Sequence, residues 1–149
     1  MKSIINITSN PELIERLEKL TPQAQALWGK MNVAQMLAHC TVGLKIAFGE
    51  IIPKSNFLFK VMGKIFKKKI FAQESFKKNS PTSKEFIIVG EKDFNAEKAI
   101  LVSYVKQCAE KGADVFSKEP HVFFGKLTVE ELDELMFRHL DHHLKQFGV

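Results

Sequence analysis

Cysteine and arginine are scarce in this chain of 149 residues, and no run of apolar residues is long. The two cysteines, Cys40 and Cys108, stand far apart within helix-like patterns. That spacing offers neither a disulfide framework nor a Cys-x-x-Cys metal or redox motif, and both are expected to be buried thiols. No stretch approaches the ~18 to 20 uninterrupted apolar residues of a membrane span, and the opening MKSIINITSNPE lacks the apolar core of a secretory signal. A cytoplasmic protein is the expectation. There is no Gly-rich phosphate loop and no Rossmann pattern, and Ser103, Ser117 and Cys108 have no histidine in a recognisable catalytic arrangement. Of the 22 basic residues only Arg16 and Arg138 are arginine. Base-specific nucleic-acid reading favours arginine forks, so nucleic acid is not an expected partner.

With 45% apolar residues, the chain has the size and composition of one domain over residues 1–149. Its net charge of +5 is local: residues 54–84 hold nine lysines against Glu74, a net +8, and the remainder sums to −3. Ser9-Asn10-Pro11 before ELIERLEKL reads as an N-cap, a proline in the first turn and an amphipathic helix. Asn32 with Gln35 three residues on makes a capping-box start for a helix from about Asn32 to Phe48. Asp93 and Asn95 precede a third long helix that stops at Gly112, and Thr128 with Glu131 opens a last helix to Phe147, with Gly148 as its stop. Residues 50–90 read as a short amphipathic helix leading into a long loop, with FIIV at 86–89 the one strand-like run. The pattern predicts an all-α fold, a four-helix bundle with an additional short helix and a long loop.

The histidines carry the chemistry. At 100° per residue, with Leu132 at 0°, His143 falls at about 20°, Met136 at about 40°, His139 at about 340° and Gln146 at about 320°. They share a stripe with Leu135, whereas Glu134, Arg138, Asp141 and Lys145 fall on the opposite, solvent side. Two imidazoles four residues apart on a buried face point the same way and form a bidentate clamp. On the second helix Val33, Met36, Cys40, Leu44 and Ala47 form the apolar stripe, with His39 on its flank beside Gly43 and Ile46. A third imidazole from that flank would complete a donor set suited to Zn, Ni or Fe(II) with open coordination positions. Gln146, one turn beyond the pair, could fix a ring tautomer or hold a water.

The segments WGKMNVAQMLAHC at 28–40, NSPTSKEF at 79–86 and FFGKLTVEELDELMFRHLDHHLKQFG at 123–148 resemble the DinB-like metalloprotein superfamily, in its branch of small bacterial domains of unassigned function. The closing His-x-x-x-His-x-x-Gln is the most specific part. The resemblance implies a four-helix bundle, often dimeric, with a divalent transition metal held by His39, His139 and His143 and with Gln146 beside them. It further implies a metal-dependent enzyme acting on a small molecule, as some relatives are transferases in which a low-molecular-weight thiol is activated on the metal. Water activated in the same way would give a hydrolase. One departure stands at Pro120-His121-Val122, where the branch commonly has His followed by Pro, so His121 is given no ligand role and is read as a loop residue near the mouth. His142 is read as a neighbour of the ligands.

Two other readings compete. One is a non-catalytic metal- or ligand-binding protein. The other is a peripheral module for anionic surfaces, suggested by NFLFKVMGKIFKKKIF, where Phe57, Val61 and Ile65 recur beside a row of Lys60, Lys64 and Lys68. An ordinary helix covering a bundle shows the same amphipathicity, so a membrane surface is not the expected partner. Trp28, Phe48, Phe123 and Phe124 could line an apolar pocket over the metal.

Overall fold

Among the described residues four long helices carry the fold, three of them opened by a side-chain cap: α1 over Asn10–Lys19, α2 over Val33–Ala47, α3 over Phe94–Lys111 and α4 over Val129–Gln146. The structure, a computed structural model, describes residues 2–54, 63, 65, 67–73, 75–80, 82–121 and 124–149. Both capping boxes form. Asn32 accepts from the Gln35 N–H while the Gln35 side chain accepts from the Asn32 N–H, and Thr128 and Glu131 do the same for α4. Asp93 caps α3, which ends on Gly112 at φ 57°. At α1 the expectation of a Ser9 cap fails: Ser9 makes no side-chain cap bond, and its hydroxyl donates to the Ser3 carbonyl instead.

Helix α3 packs on both α1 and α2, and α4 packs on the same two helices. Helix α2 carries a single charge, Lys45, and twelve of its fifteen residues are buried. It is therefore buried nearly all round rather than along one stripe, as a helix apolar on every side must be. Leu13, Leu17, Met36, Leu37, Leu101, Val105 and Leu144 form the fully buried centre, with both cysteines, which are free thiols as expected. Burial pushes the Cys40 thiol up, and pushes Cys108 to about 12. The N-terminal segment is tied down by polar contacts: Asp133 of α4 accepts from the Ile4 and Ile5 N–H groups at 2.7 and 3.1 Å, and Asn10 donates to the Val105 carbonyl at 2.7 Å.

Two further expectations are corrected among the described residues. The run at 86–89 makes no strand: Lys84–Phe86 is a 3-10 turn, and Ile87 and Val89 are exposed, so no neighbouring surface rewards their alternation. The one bridge, His121 with Gly125, is isolated. Arg138, placed by its helical angle on the solvent side, is 9% exposed. Residues 67–73, helical over 67–71, cross that side of α4, and Arg138 Nη2 donates to the Ile70 carbonyl at 3.0 Å and to the Gln73 carbonyl. Lys67 pairs with Glu131 at 2.7 Å along the same face. Of the expected basic amphipathic helix, Phe57, Leu58, Lys60, Val61, Met62, Lys64 and Phe66 lie outside the described residues. No helix among the described residues is long and apolar enough to cross a membrane.

Candidate metal centre

Packing of α2 against α4 brings His39 opposite His139 and His143, so that one donor atom from each lies within 4.8 Å of the others. His39 Nε2 and His139 Nε2 are 3.1 Å apart. Metal–nitrogen bonds of about 2.0 to 2.1 Å set neighbouring donors roughly 3 Å apart, so this pair already stands at ligand spacing. The ring centroids are 4.6 to 5.0 Å from one another. His39 and His143 are buried, and His139 is half-buried.

Each ring is oriented by a neighbour. His39 Nδ1 donates to the Phe86 carbonyl at 2.9 Å, which leaves its Nε2 lone pair facing the group. His143 Nδ1 donates to Gln146 Oε1 at 2.7 Å, and Gln146 Nε2 donates in turn to the Trp28 carbonyl at 2.7 Å. That second bond fixes which end of the amide faces His143. Gly29, at φ 82°, makes it possible, because a Cβ there would stand 2.6 Å from Gln146 Nε2. His139 meets His39 through the 3.1 Å Nε2 contact and is confined on its other side by space: a Cβ on Gly43 of α2 would meet its Cε1 and Nδ1 at 3.1 Å.

Burial lowers the proton affinity of all three. It acts first on His39, against a raising bond from the Phe86 carbonyl. His139 lies well below the ordinary imidazole value through burial and then the charges of His143, His39 and His142. His143 is brought to about 3 by burial and then by His39. At neutral pH the group presents three uncharged imidazoles, the protonation state that metal ligands require.

Around this group the expected neighbours divide. His142 lies beside it, its ring 5.2 Å from His143 and 5.5 Å from Trp28, without joining the three. Its own proton affinity is lowered by burial first and by Lys78 among smaller contributions. The Trp28 ring therefore lies beside His142, one residue removed from the group of three. Phe48 is not near the group: it caps α2 against Tyr104, about 13 Å along the helix axis from His39. Phe124 stacks on His121 at 5.0 Å, and Phe123 lies outside the described residues. His121 sits in a loop as expected, outside the group of three, and burial lowers it to about 4. Sequence reasoning missed Phe76 and Phe86. Phe86 stands 5.3 Å from His39 and 6.0 Å from His139, and Phe76 6.3 Å from His139 and 5.9 Å from His142. Both come from the 70–90 region, where no periodicity announces which side chains turn inward. A groove of about 630 Å³ lined by Glu18, Lys98, Val102, Lys106 and Glu110 lies elsewhere and gathers no comparable donor set.

Fold and site together define a mostly helical protein whose buried histidines could hold a metal ion. Residues 2–148 match the model of a family described as a protein of unknown function, DUF1569, and the chain belongs to that family. No curated protein and no solved structure matches it.

Proposed function

We propose that the chain is a DinB-like four-helix bundle that binds one divalent transition-metal ion through His39, His139 and His143 and uses it on a small molecule, by thiol-dependent transfer. The observation that carries the reading is the oriented donor set. Two of the three imidazoles have Nδ1 committed to an acceptor, Phe86 O or Gln146 Oε1, which leaves Nε2 as the ligand atom of each, and one donor nitrogen from each of the three lies within 4.8 Å of the others. Three neutral nitrogen donors fit Zn, Ni or Fe(II) better than Mg or Ca, which prefer oxygen.

A bound divalent ion supplies Lewis acidity, lowering the pKa of a thiol or water that coordinates it by several units. The chain does the rest. His39, His139 and His143 would hold the ion through three nitrogens, a donor set that would leave room for that ligand. Phe76 and Phe86 border the group with apolar surface, which excludes bulk water from the rings they contact. Gln146 holds the His143 proton on Nδ1 and so keeps its Nε2 available. Among the described residues no carboxylate joins the group, so activation falls to the ion rather than to a general base.

The test is metal content of untagged protein by mass spectrometry, with His39→Ala and His143→Ala alongside. Near one equivalent of Zn, Ni or Fe that is lost in both variants is the expected result, followed by a screen of thiol substrates. No metal after reconstitution overturns the reading.

A further inference from the structure

Beside the histidine group lies a second set of side chains that the metal chemistry does not use. The Trp28 ring is half-buried and borders His142, which in turn borders His143. Lys78 Nζ sits 4.3 Å from the centre of the Trp28 ring. The loops that carry the two are in register, because Asn79 Oδ1 stands 3.9 Å from the Cβ position of Gly29. Lys78 is exposed, and among the described residues its ammonium makes no ion pair and rests on the indole face. Lys30 and Lys77 belong to the same two loops. Asp141, the acid beside His142 in sequence, is already neutralised by Arg16 and Lys145, each at 2.7 Å.

Two charge arguments converge here. Three neutral imidazoles bring no negative charge to a divalent ion, so the ligand that completes its coordination is favoured as an anion. A lysine resting on an aromatic face keeps its charge and can be drawn from that face to a better acceptor, since an exposed cation–π contact is weak. We propose that Lys78 and Trp28 form a rim that binds the carboxylate end of a small ligand whose other end coordinates the metal, the indole face supporting the carbon chain between them. This rests on the histidine group being a metal centre, and it names the substrate class: an anionic, bifunctional small molecule rather than a neutral or cationic one.

The experiment uses untagged protein loaded with Co(II), with cobalt content measured first. Three probes of similar size are titrated: 3-mercaptopropionate, 2-mercaptoethanol and cysteamine, which carry a carboxylate, a hydroxyl and an ammonium. The thiolate-to-cobalt absorption band reports coordination, and emission of Trp28, the only tryptophan in the chain, reports the rim. The expected ranking is carboxylate over hydroxyl over ammonium by about two- to fivefold a step, the range of an exposed charge pair, with Trp28 emission changing most for 3-mercaptopropionate. Lys78→Gln narrows the ranking to less than about twofold, Lys78→Arg preserves it, and cobalt content shows that the centre persists in both. Equal affinities in the cobalt-loaded protein, or a ranking that survives Lys78→Gln, overturn the rim alone. Failure to take up cobalt overturns the metal reading and the bifunctional ligand with it.

Discussion

Gln146 Oε1 accepts a hydrogen bond from His143 Nδ1 at 2.7 Å, and the same amide is held from its other end by the Trp28 carbonyl. The tautomer of one candidate ligand is thereby set by the loop that precedes α2. Gln146→Leu leaves the imidazole present but its orientation free, and groups in this position are worth about 10- to 100-fold in metal affinity. Gln146→Glu keeps an acceptor for His143 and loses the donor to Trp28. The expected order of affinity in a chelator competition is wild type, then Gln146→Glu, then Gln146→Leu. Equal affinities in all three would show that the amide does not act through His143.

Gly43 sits where a methyl group would press on the His139 ring at 3.1 Å. In a helix interior, glycine to alanine ordinarily stabilises by about 1 kcal/mol. Gly43→Ala is therefore expected to leave the melting temperature of the metal-free protein near or above that of wild type while weakening metal binding, because the ring must give by a few tenths of an ångström. A parallel fall in both quantities would mean that Gly43 serves packing alone.

How legible the site was follows from these two contacts. The α4 stripe of Leu132, Met136, His143 and Gln146 could be read because helical periodicity projects side chains at fixed angles, and all four are buried. Both capping boxes were legible for a related reason, since they depend on residues three apart. Whether His39 faced inward was harder to read, because α2 is apolar on nearly every side and its pattern points nowhere in particular. Phe76, Phe86 and the burial of Arg138 were not legible at all. They depend on how residues 67–90 cross the helices, which is a matter of tertiary fit with no period.

Acid should destabilise the metal-free protein in a defined window. Burial lowers the folded-state proton affinity of all five histidines, with His143 at about 3 and His121 at about 4. The unfolded chain, with histidines at about 6.5, binds more protons between those values, so stability is full above about pH 7 and falls as pH drops toward 4. Each such group contributes up to about 1.4 kcal/mol per pH unit. For Asp141, burial raises proton affinity, but hydrogen bonds from Lys145 and Arg16 lower it further, so it acts only below the ordinary carboxylate range and leaves this window to the histidines. Urea unfolding at pH 7.5, 6.0 and 5.0 is expected to show this slope, shallower in His143→Phe and delayed in metal-loaded protein. A flat profile between pH 7.5 and 5.0 would contradict it.

Arg138, with the Lys67–Glu131 pair, is a polar link between α4 and the segment that borders the histidines. Its Nη2 serves the Ile70 and Gln73 carbonyls, its Nη1 meets Glu134 at 3.3 Å, and its guanidinium lies 5.3 Å from the Phe76 ring. Nε, buried as well, has no partner among the described residues. Arg138→Met keeps an apolar stem against Phe76 but takes the side-chain donor from the Gln73 carbonyl and leaves the Ile70 carbonyl with the Gln73 N–H alone, at 3.2 Å, a loss of about 1 to 3 kcal/mol for a part-buried site. Because those carbonyls belong to residues 70 and 73, the loosening should be local. Hydrogen exchange is expected to quicken over 67–76 more than in α1 or α3, and bound metal should pass to a chelator faster with its equilibrium affinity reduced less than in Gln146→Leu. Uniformly faster exchange across all four helices would instead make Arg138 a contributor to global stability, with no particular hold on the edge of the site.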